Sequence, residues 1–419
     1  MSRILKTLFV VALALAIATP AFAEFKLNGY YRAQGYLQQT KVAGVEEPTD
    51  QTFVNQRLRM KMTYSLTDRV SFVYYGEVDT DWGENGKGGN DGKRGADSIN
   101  LETKNAFLNV KFPDSGCNLR LGVQGIKDDF DGVVFFDDMA GAVGTGKLGT
   151  ADVRLIWSKW NENDRSETDD VDLYGLGVSN KFSDALTLGG GVYYLVDNSD
   201  DLDGNTALYA GLNGDVRFGN MAINGFGVFL SQDDETASSD GTGYAATVKG
   251  NMKLDNGQLG LRLFYFSEDD DSADNNGWTG NYGAYEFVNE NLVFFLVDKY
   301  VTDAGKNRYV FTDAVNAGFG AWGAVLSGSF NMPMDMYTKF GLGYFSAVTD
   351  DANDDNVGVV DGEGMGFEAA AQVGKKFAEK VDLSLRVAYA GFGDFYKGTA
   401  AGNDPDDAYA AIAMIHVPF

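Results

Sequence analysis

Five aspartates crowd around one apolar run: Asp128, Asp129 and Asp131, then Gly132-Val133-Val134-Phe135-Phe136, then Asp137 and Asp138. Basic residues recur elsewhere on the polar face of alternating segments, at Arg32, Arg57, Arg59, Lys61, Arg120, Arg154, Arg262 and Arg386, with Lys26, Arg217 and Lys339 in the same setting. Carboxylates opposed to a row of cations across a narrow aqueous gap create a transverse field. Such a field orients polar solutes and disfavours greasy ones. That is the chemistry of passage. For bond making the inventory is thin. A Ser–His–Asp arrangement needs a histidine positioned by other elements, and the only one, His416, lies in the last apolar segment beside Val417-Pro418. It reads as a satisfied ring near a rim. The only cysteine, Cys117, reads as a buried or lipid-facing thiol. One Cys excludes a disulfide framework and Cys-based zinc or iron–sulfur sites, and with one His it excludes a Cys-x-x-Cys-His haem site. Runs such as Asp269-Asp270-Asp271 are solvated, with nothing to desolvate one carboxyl and raise its pKa. Gly144-x-Gly146 lacks the context of a dinucleotide site. Gly189 to Gly191 reads as a packing or bend feature of a strand. No catalytic residue, metal or cofactor is expected.

The elements that must position these charges follow from composition and period. The 419 residues hold 60 Asp+Glu against 34 Lys+Arg, a net charge of −26, which argues against nucleic acid as a partner. With 53 Gly, 29 Phe, 21 Tyr and only 6 Pro, the chain fits many short strands rather than an acidic disordered tail. Residues 1–23 read as a cleaved secretory signal: Arg3 and Lys6, the apolar run Leu8 to Ala18, then Ala21-Phe22-Ala23. No later stretch has the ~20 apolar residues of a membrane helix. Period-two alternation recurs instead, as in Leu58, Met60, Met62 and Tyr64, or Val381, Leu383, Leu385 and Val387.

The connections sort into two kinds. Tight ones include Leu66-Thr67-Asp68-Arg69, Pro113-Asp114-Ser115-Gly116 and Asp255-Asn256-Gly257. Long acidic ones lie near 39–52, 83–97, 127–139, 162–170, 198–205, 233–243, 268–312, 348–363 and 394–406. Alternation of short and long connections is the pattern of a membrane barrel with short periplasmic turns and long outer loops. Parity then requires a weak strand at 140–147. The tally is nine outer loops and eight turns, hence an all-β transmembrane antiparallel β-barrel of about eighteen strands, with sixteen as the alternative. The apolar run Leu292 to Val297 inside the longest connection reads as a short helix, a hairpin in the mouth or an intersubunit latch.

The final segment places Tyr409, Ala411, Ala413, Ile415, Val417 and the terminal Phe419 on one face. It resembles the closing strand of Gram-negative outer-membrane porins. The resemblance implies a cell outer-membrane location, contact with the lipid bilayer and lipopolysaccharide, and an assembly signal in Tyr409, Ile415, Val417 and Phe419 for the barrel-assembly machinery. It also implies homo-oligomers, usually trimers. In porins the connection after strand five folds inward and narrows the pore. The 127–139 connection is its counterpart here, although the Pro-Glu-Phe-Gly-Gly signature is missing. An outer cap loop whose acids face water is the alternative. The expected function is a water-filled channel for passive diffusion of small hydrophilic solutes and ions, with residues 24–419 as one barrel domain. Two alternatives stand beside it. One is a channel specific for sugars or acidic polymers, with Tyr30 and Tyr36 as an aromatic slide. The other is a sheath around another outer-membrane component such as a cytochrome.

Overall fold

Alternating segments bury one side each, and a sheet that closes on itself satisfies every backbone group without an exposed edge. The computed structural model describes residues 24–40, 49–83, 91–92, 99–162, 169–199, 204–234, 239–269, 276–280, 290–292, 315–350, 362–396 and 407–419. The expected signal at 1–23 lies outside them, as does much of the acidic connections. Eighteen strands are formed: β1 Glu24–Thr40, β2 Thr49–Ser65, β3 Val70–Trp82, β4 Glu102–Phe112, β5 Cys117–Lys127, β6 Phe136–Leu148, β7 Ala151–Asn161, β8 Val171–Ser183, β9 Leu186–Asp197, β10 Asn205–Phe218, β11 Met221–Asp234, β12 Ser239–Leu254, β13 Gly257–Phe266, β14 Ala321–Met332, β15 Met336–Ser346, β16 Gly364–Phe377, β17 Val381–Phe392 and β18 Ala408–Pro418. Each pairs antiparallel with its sequence neighbours, and β18 returns to β1, from Tyr30 opposite Pro418 to Gln39 opposite Tyr409. A two-residue bridge, Asp91–Gly92, runs parallel to the end of β3. No helix among the described residues is long and apolar enough to cross a membrane.

Eight tight turns gather at one end, together with both ends of the barrel sheet; the longer connections occupy the other. The turn after β14 holds Met334 and Asp335 at φ 63° and 58°, and the turn after β16 holds Ala378 and Glu379 at 46° and 64°. Paired left-handed residues match the right-handed twist of the flanking strands, which favours short hairpins here. The weak strand expected at 140–147 is β6, longer at both ends than alternation alone suggests.

Burial is inverted relative to a water-soluble sheet. Leu155, Leu176, Leu212, Leu263, Leu326, Leu342 and Leu385 all point outward and are exposed. Outward aromatics form two belts: Phe25, Phe72, Phe112, Phe182, Phe218 and Phe377 near the tight turns, and Trp82, Trp157, Tyr174, Tyr194, Trp322 and Tyr344 near the long connections. In β16 the belts are marked by Phe367 and Phe377. Ten residues at about 3.3 Å each, tilted by about 40°, cover about 25 Å, the height of an outer-membrane apolar band.

The apolar core lies inside the barrel, in the half nearest the long connections. Phe130, Val133, Val134 and Phe135 from the β5–β6 connection, Trp278, Leu292, Val315 and Phe319 from the β13–β14 connection, and Phe395 after β17 are buried against inward strand residues such as Tyr193, Phe264, Val325 and Phe345.

Phe419 closes the sheet. Its N–H donates to the Gly29 carbonyl and its carbonyl accepts from the Gly29 N–H, both at 2.9 Å. Two such bonds contribute only about 2 kcal/mol, so deleting Phe419 should change the stability of a refolded barrel little. It should lower the yield of assembled protein in cells sharply, if the end is also an assembly signal. Immunoblots of outer-membrane fractions beside refolding assays in micelles test this; equal loss in both assays would leave only a structural role.

Candidate pore-lining site

The β5–β6 connection is the short segment 128–135, not the expected 127–139. Pairing of Asp137 with Ile126 and of Asp138 with Gly125 carries the hairpin further. Asp137 and Asp138 are therefore strand residues. Asp138 shares the outward-facing positions of Leu148, and it binds Lys104 Nζ and Asn105 Nδ2, both at 2.7 Å. This removes it from the lumen.

Asp128 organises the segment from within. Its Oδ1 accepts from the N–H groups of Phe130 (2.6 Å) and Gly132 (2.8 Å), and its Oδ2 from those of Val134 (2.6 Å) and Phe135 (2.8 Å). The side chain is buried and faces the loop backbone instead of solutes. Burial pushes its carboxyl above the usual carboxylate range, against the downward pull of the four N–H donors. Gly132 at φ 91° and Asp131 at φ 61° supply the tight reversal.

Asp129 and Asp131 point toward the wall. Asp129 Oδ1 accepts from Arg154 Nη2 at 2.8 Å, and its Oδ2 accepts from the Tyr193 hydroxyl at 2.6 Å. Arg154 Nη1 also donates to the Lys127 carbonyl at 2.7 Å, and Asn213 Nδ2 to the Asp129 carbonyl at 2.7 Å. Gly177 makes room: a Cβ there would sit 2.1 Å from Asp129 Oδ2. Phe130 lies edge-on to Tyr193, with centroids 6.0 Å apart. Asp131 Oδ2 is 3.5 Å from Arg262 Nη1. The segment thus lies along the inner wall from β7 to β13.

A second inward segment meets it there. Glu290, in the β13–β14 connection, lies 3.0 Å from Arg262 Nε and 2.5 Å from Lys249 Nζ. The buried Arg262 thereby joins Asp131 to Glu290, with Thr247 Oγ1 accepting at 3.3 Å. Leu292 is buried over Gly341 and Gly343. The rest of the run expected to form a helix, hairpin or latch, 293–297, lies outside the described residues.

Arg32, Arg57, Arg59, Lys61, Arg120, Arg154, Arg262 and Arg386 all occupy inward-facing positions, alternating with outward Leu58, Leu121, Leu155, Leu261 and Leu385. They are not one continuous cationic ladder. Arg57 pairs with Asp79, its Nε donating to Oδ1 at 2.6 Å, and Arg59 pairs with Glu77. Glu77 Oε2 lies 3.7 Å from Arg57 Nε as well. Arg386 donates through Nη2 to Gln372 Oε1 at 2.9 Å. Sequence reasoning missed Glu77, Asp79, Lys249 and Glu290. A hairpin folded at 66–69 sets Glu77 and Asp79 opposite Arg59 and Arg57, so a register drawn from that turn finds both pairs.

Tyr36 is 2% exposed and stacks on Phe53 at 4.5 Å, and the Tyr30 ring lies 5.1 Å from His416. Tyr36 offers no open surface for an aromatic slide. Cys117 lies beside the tight turn on the outward face of β5, opposite Phe112 and in step with Leu121, the lipid-facing one of the two placements expected. Among the described residues, no group of three or more His, Cys, Asp or Glu side chains is placed to hold a metal ion.

A closed eighteen-stranded sheet with an apolar belt outside and charges inside defines a membrane-spanning β-barrel. Solved structures share this fold. OpdK of Pseudomonas aeruginosa, solved with vanillate, matches with a TM-score of 0.58 at 12% identity, over 94% of this chain and 98% of that one. OccAB1 of Acinetobacter baumannii matches at 0.56 with 15% identity, over 94% and 97%. OccK5 (OpdH) of Pseudomonas aeruginosa matches at 0.54 with 14% identity, over 94% and 98%. At these identities the likeness is one of fold. No protein-family model matches the chain, and no curated protein matches its sequence.

Proposed function

We propose that the protein is a channel of the cell outer membrane through which small hydrophilic solutes and ions diffuse. The observation that carries this reading is the pair of inward segments at 128–135 and 290–292, pinned by Arg154 and Arg262 to the inner wall. In this reading they form the constriction, with Asp129, Asp131 and Glu290 as its acids. Asp128 folds the loop, Asp137 sits on the inward side of β6 opposite Ile126 and stays among the acids of the bore, and Asp138 faces outward. A sheath needs a wide bore, which inward segments would obstruct. The barrel needs no catalytic residue and no cofactor for this role. Lipopolysaccharide contact, the barrel-assembly machinery acting on Phe419 and trimer formation belong to the same proposal.

A second reading, a channel that favours small carboxylates, draws on OpdK having been solved with vanillate and on inward cations at Arg32, Lys61, Arg120, Lys339 and Arg386. Liposome swelling separates the two. Passive diffusion predicts rates that fall with solute size alone. Carboxylates entering faster than neutral solutes of equal size would favour the second reading, and no swelling with either would overturn both.

A further inference from the structure

The outer wall carries a groove of about 550 Å³ across β16, β17, β18, β1 and β2. Val373, Leu385, Ile415, Ala413, Ala33 and Gly35 line it. The small residues at its far end leave open space, and a Cβ added at Gly35 would meet nothing closer than a Val54 methyl at 4.0 Å. Lys375 stands at its near end, two residues from the Phe377 belt position. Lys375 shares the outward alternation of Val373 and Phe377, and its Nζ lies 5.0 Å from the Phe377 ring centroid.

Lys375 is the one charged side chain at the described outward strand positions of the tight-turn half. The other outward charges, such as Glu102, Lys104, Asp138, Lys159 and Asp172, cluster near the long connections. At this depth the ammonium reaches the headgroup level while its stem lies along the apolar band, so the anion it meets there is the one to identify. A second copy docked here would offer no carboxylate at that depth from its own described outward positions. A phospholipid offers a phosphate at the interface and an acyl chain above it. The groove crosses four strand spacings of about 4.8 Å, about 19 Å along the wall. Since the strands tilt, that path climbs from the interface toward the middle of a hydrocarbon core about 30 Å thick.

We propose that this groove holds an acyl chain of one phospholipid of the periplasmic leaflet, with its phosphate on Lys375. The leaflet follows from the outer-membrane reading above. The test reads lipid binding to the full barrel in micelles, with no solute conducted, so it fails or succeeds independently of the channel reading. Native mass spectrometry with phosphatidylglycerol, and with diacylglycerol as the phosphate-free probe, should show one retained phosphatidylglycerol per barrel. Lys375→Gln should weaken phosphatidylglycerol about tenfold, the loss of one charge-assisted bond, and leave diacylglycerol unchanged. Lys375→Arg should retain binding. Ala413→Leu, which fills the groove, should weaken both probes, and Lys104→Gln near the long connections neither. Heat-modifiable gel mobility verifies that each variant is folded. Wild-type affinity for phosphatidylglycerol in folded Lys375→Gln and Ala413→Leu would overturn the proposal. So would a dimer abolished by Ala413→Leu, which would assign the groove to a second copy.

Discussion

Asp128→Ala is expected to release the 128–135 segment from the inner wall, raising single-channel conductance and its noise. The carboxylate accepts four backbone N–H bonds in a buried position. Each buried donor left without a partner costs about 1–3 kcal/mol. Water reaching some of them reduces the sum, so about 3 kcal/mol is a fair expectation, roughly a hundredfold change in the population of the seated loop. Asp128→Asn keeps one acceptor oxygen and should fall between the variant and the wild type. Asp138→Asn should leave conductance unchanged, because its carboxylate lies on the outer side with Lys104. Planar-bilayer recordings of the three variants test the assignment. An Asp128→Ala channel indistinguishable from wild type would show that the apolar contacts of Phe130, Val133 and Phe135, with the Asp129–Arg154 and Asp131–Arg262 pairs, hold the loop without it.

Glu77→Gln is expected to shift ion selectivity toward anions more than any change in the acidic outer connections. Glu77 lies between Arg57 and Arg59, with its side chain 5% exposed. Without its charge, Arg57 keeps Asp79 and Arg59 loses its carboxylate partner. Gln keeps an acceptor and Asp79 keeps its pair with Arg57, so the loss is about 1–3 kcal/mol and the variant should unfold at a modestly lower temperature. Charges in the outer connections are screened over a Debye length of about 8 Å at physiological salt. Asp233→Asn, on an outward position of β11 near a long connection, is the control. Reversal potentials in a salt gradient decide it. A larger shift from Asp233→Asn than from Glu77→Gln would place the selectivity outside the wall.

The exterior of the barrel was legible because lipid demands an apolar residue at every second position, and Leu383, Leu385 and Val387 satisfy it with no further information. The strand count followed from the sorting of connections, and β6 from parity despite its weak pattern of Ala and Gly. The interior was less legible. Alternation says which side of the wall Arg57 and Arg59 face, but their neutralisation by Asp79 and Glu77 depends on register. Asp138 looked like a loop acid because its strand continues past the point where membrane patterning ends. The packing of Trp278, Phe319 and Phe395 within the barrel leaves no period to detect, since irregular segments have none. Asp128 and Asp129 are adjacent in sequence and differ completely in role, one bonded to the loop backbone and one to Arg154 and Tyr193. Only three-dimensional geometry separates them.

In the proposed channel, ions pass through a bore narrowed by the two pinned segments. Single-channel recording of the purified wild-type protein, beside Arg262→Met, is the decisive measurement. Arg262→Met removes the guanidinium that joins Asp131 to Glu290 while keeping its bulk. Discrete conductance steps are expected for the wild type, and larger, less stable steps for the variant. A wild-type barrel that is folded in the bilayer but passes no current would contradict the proposal.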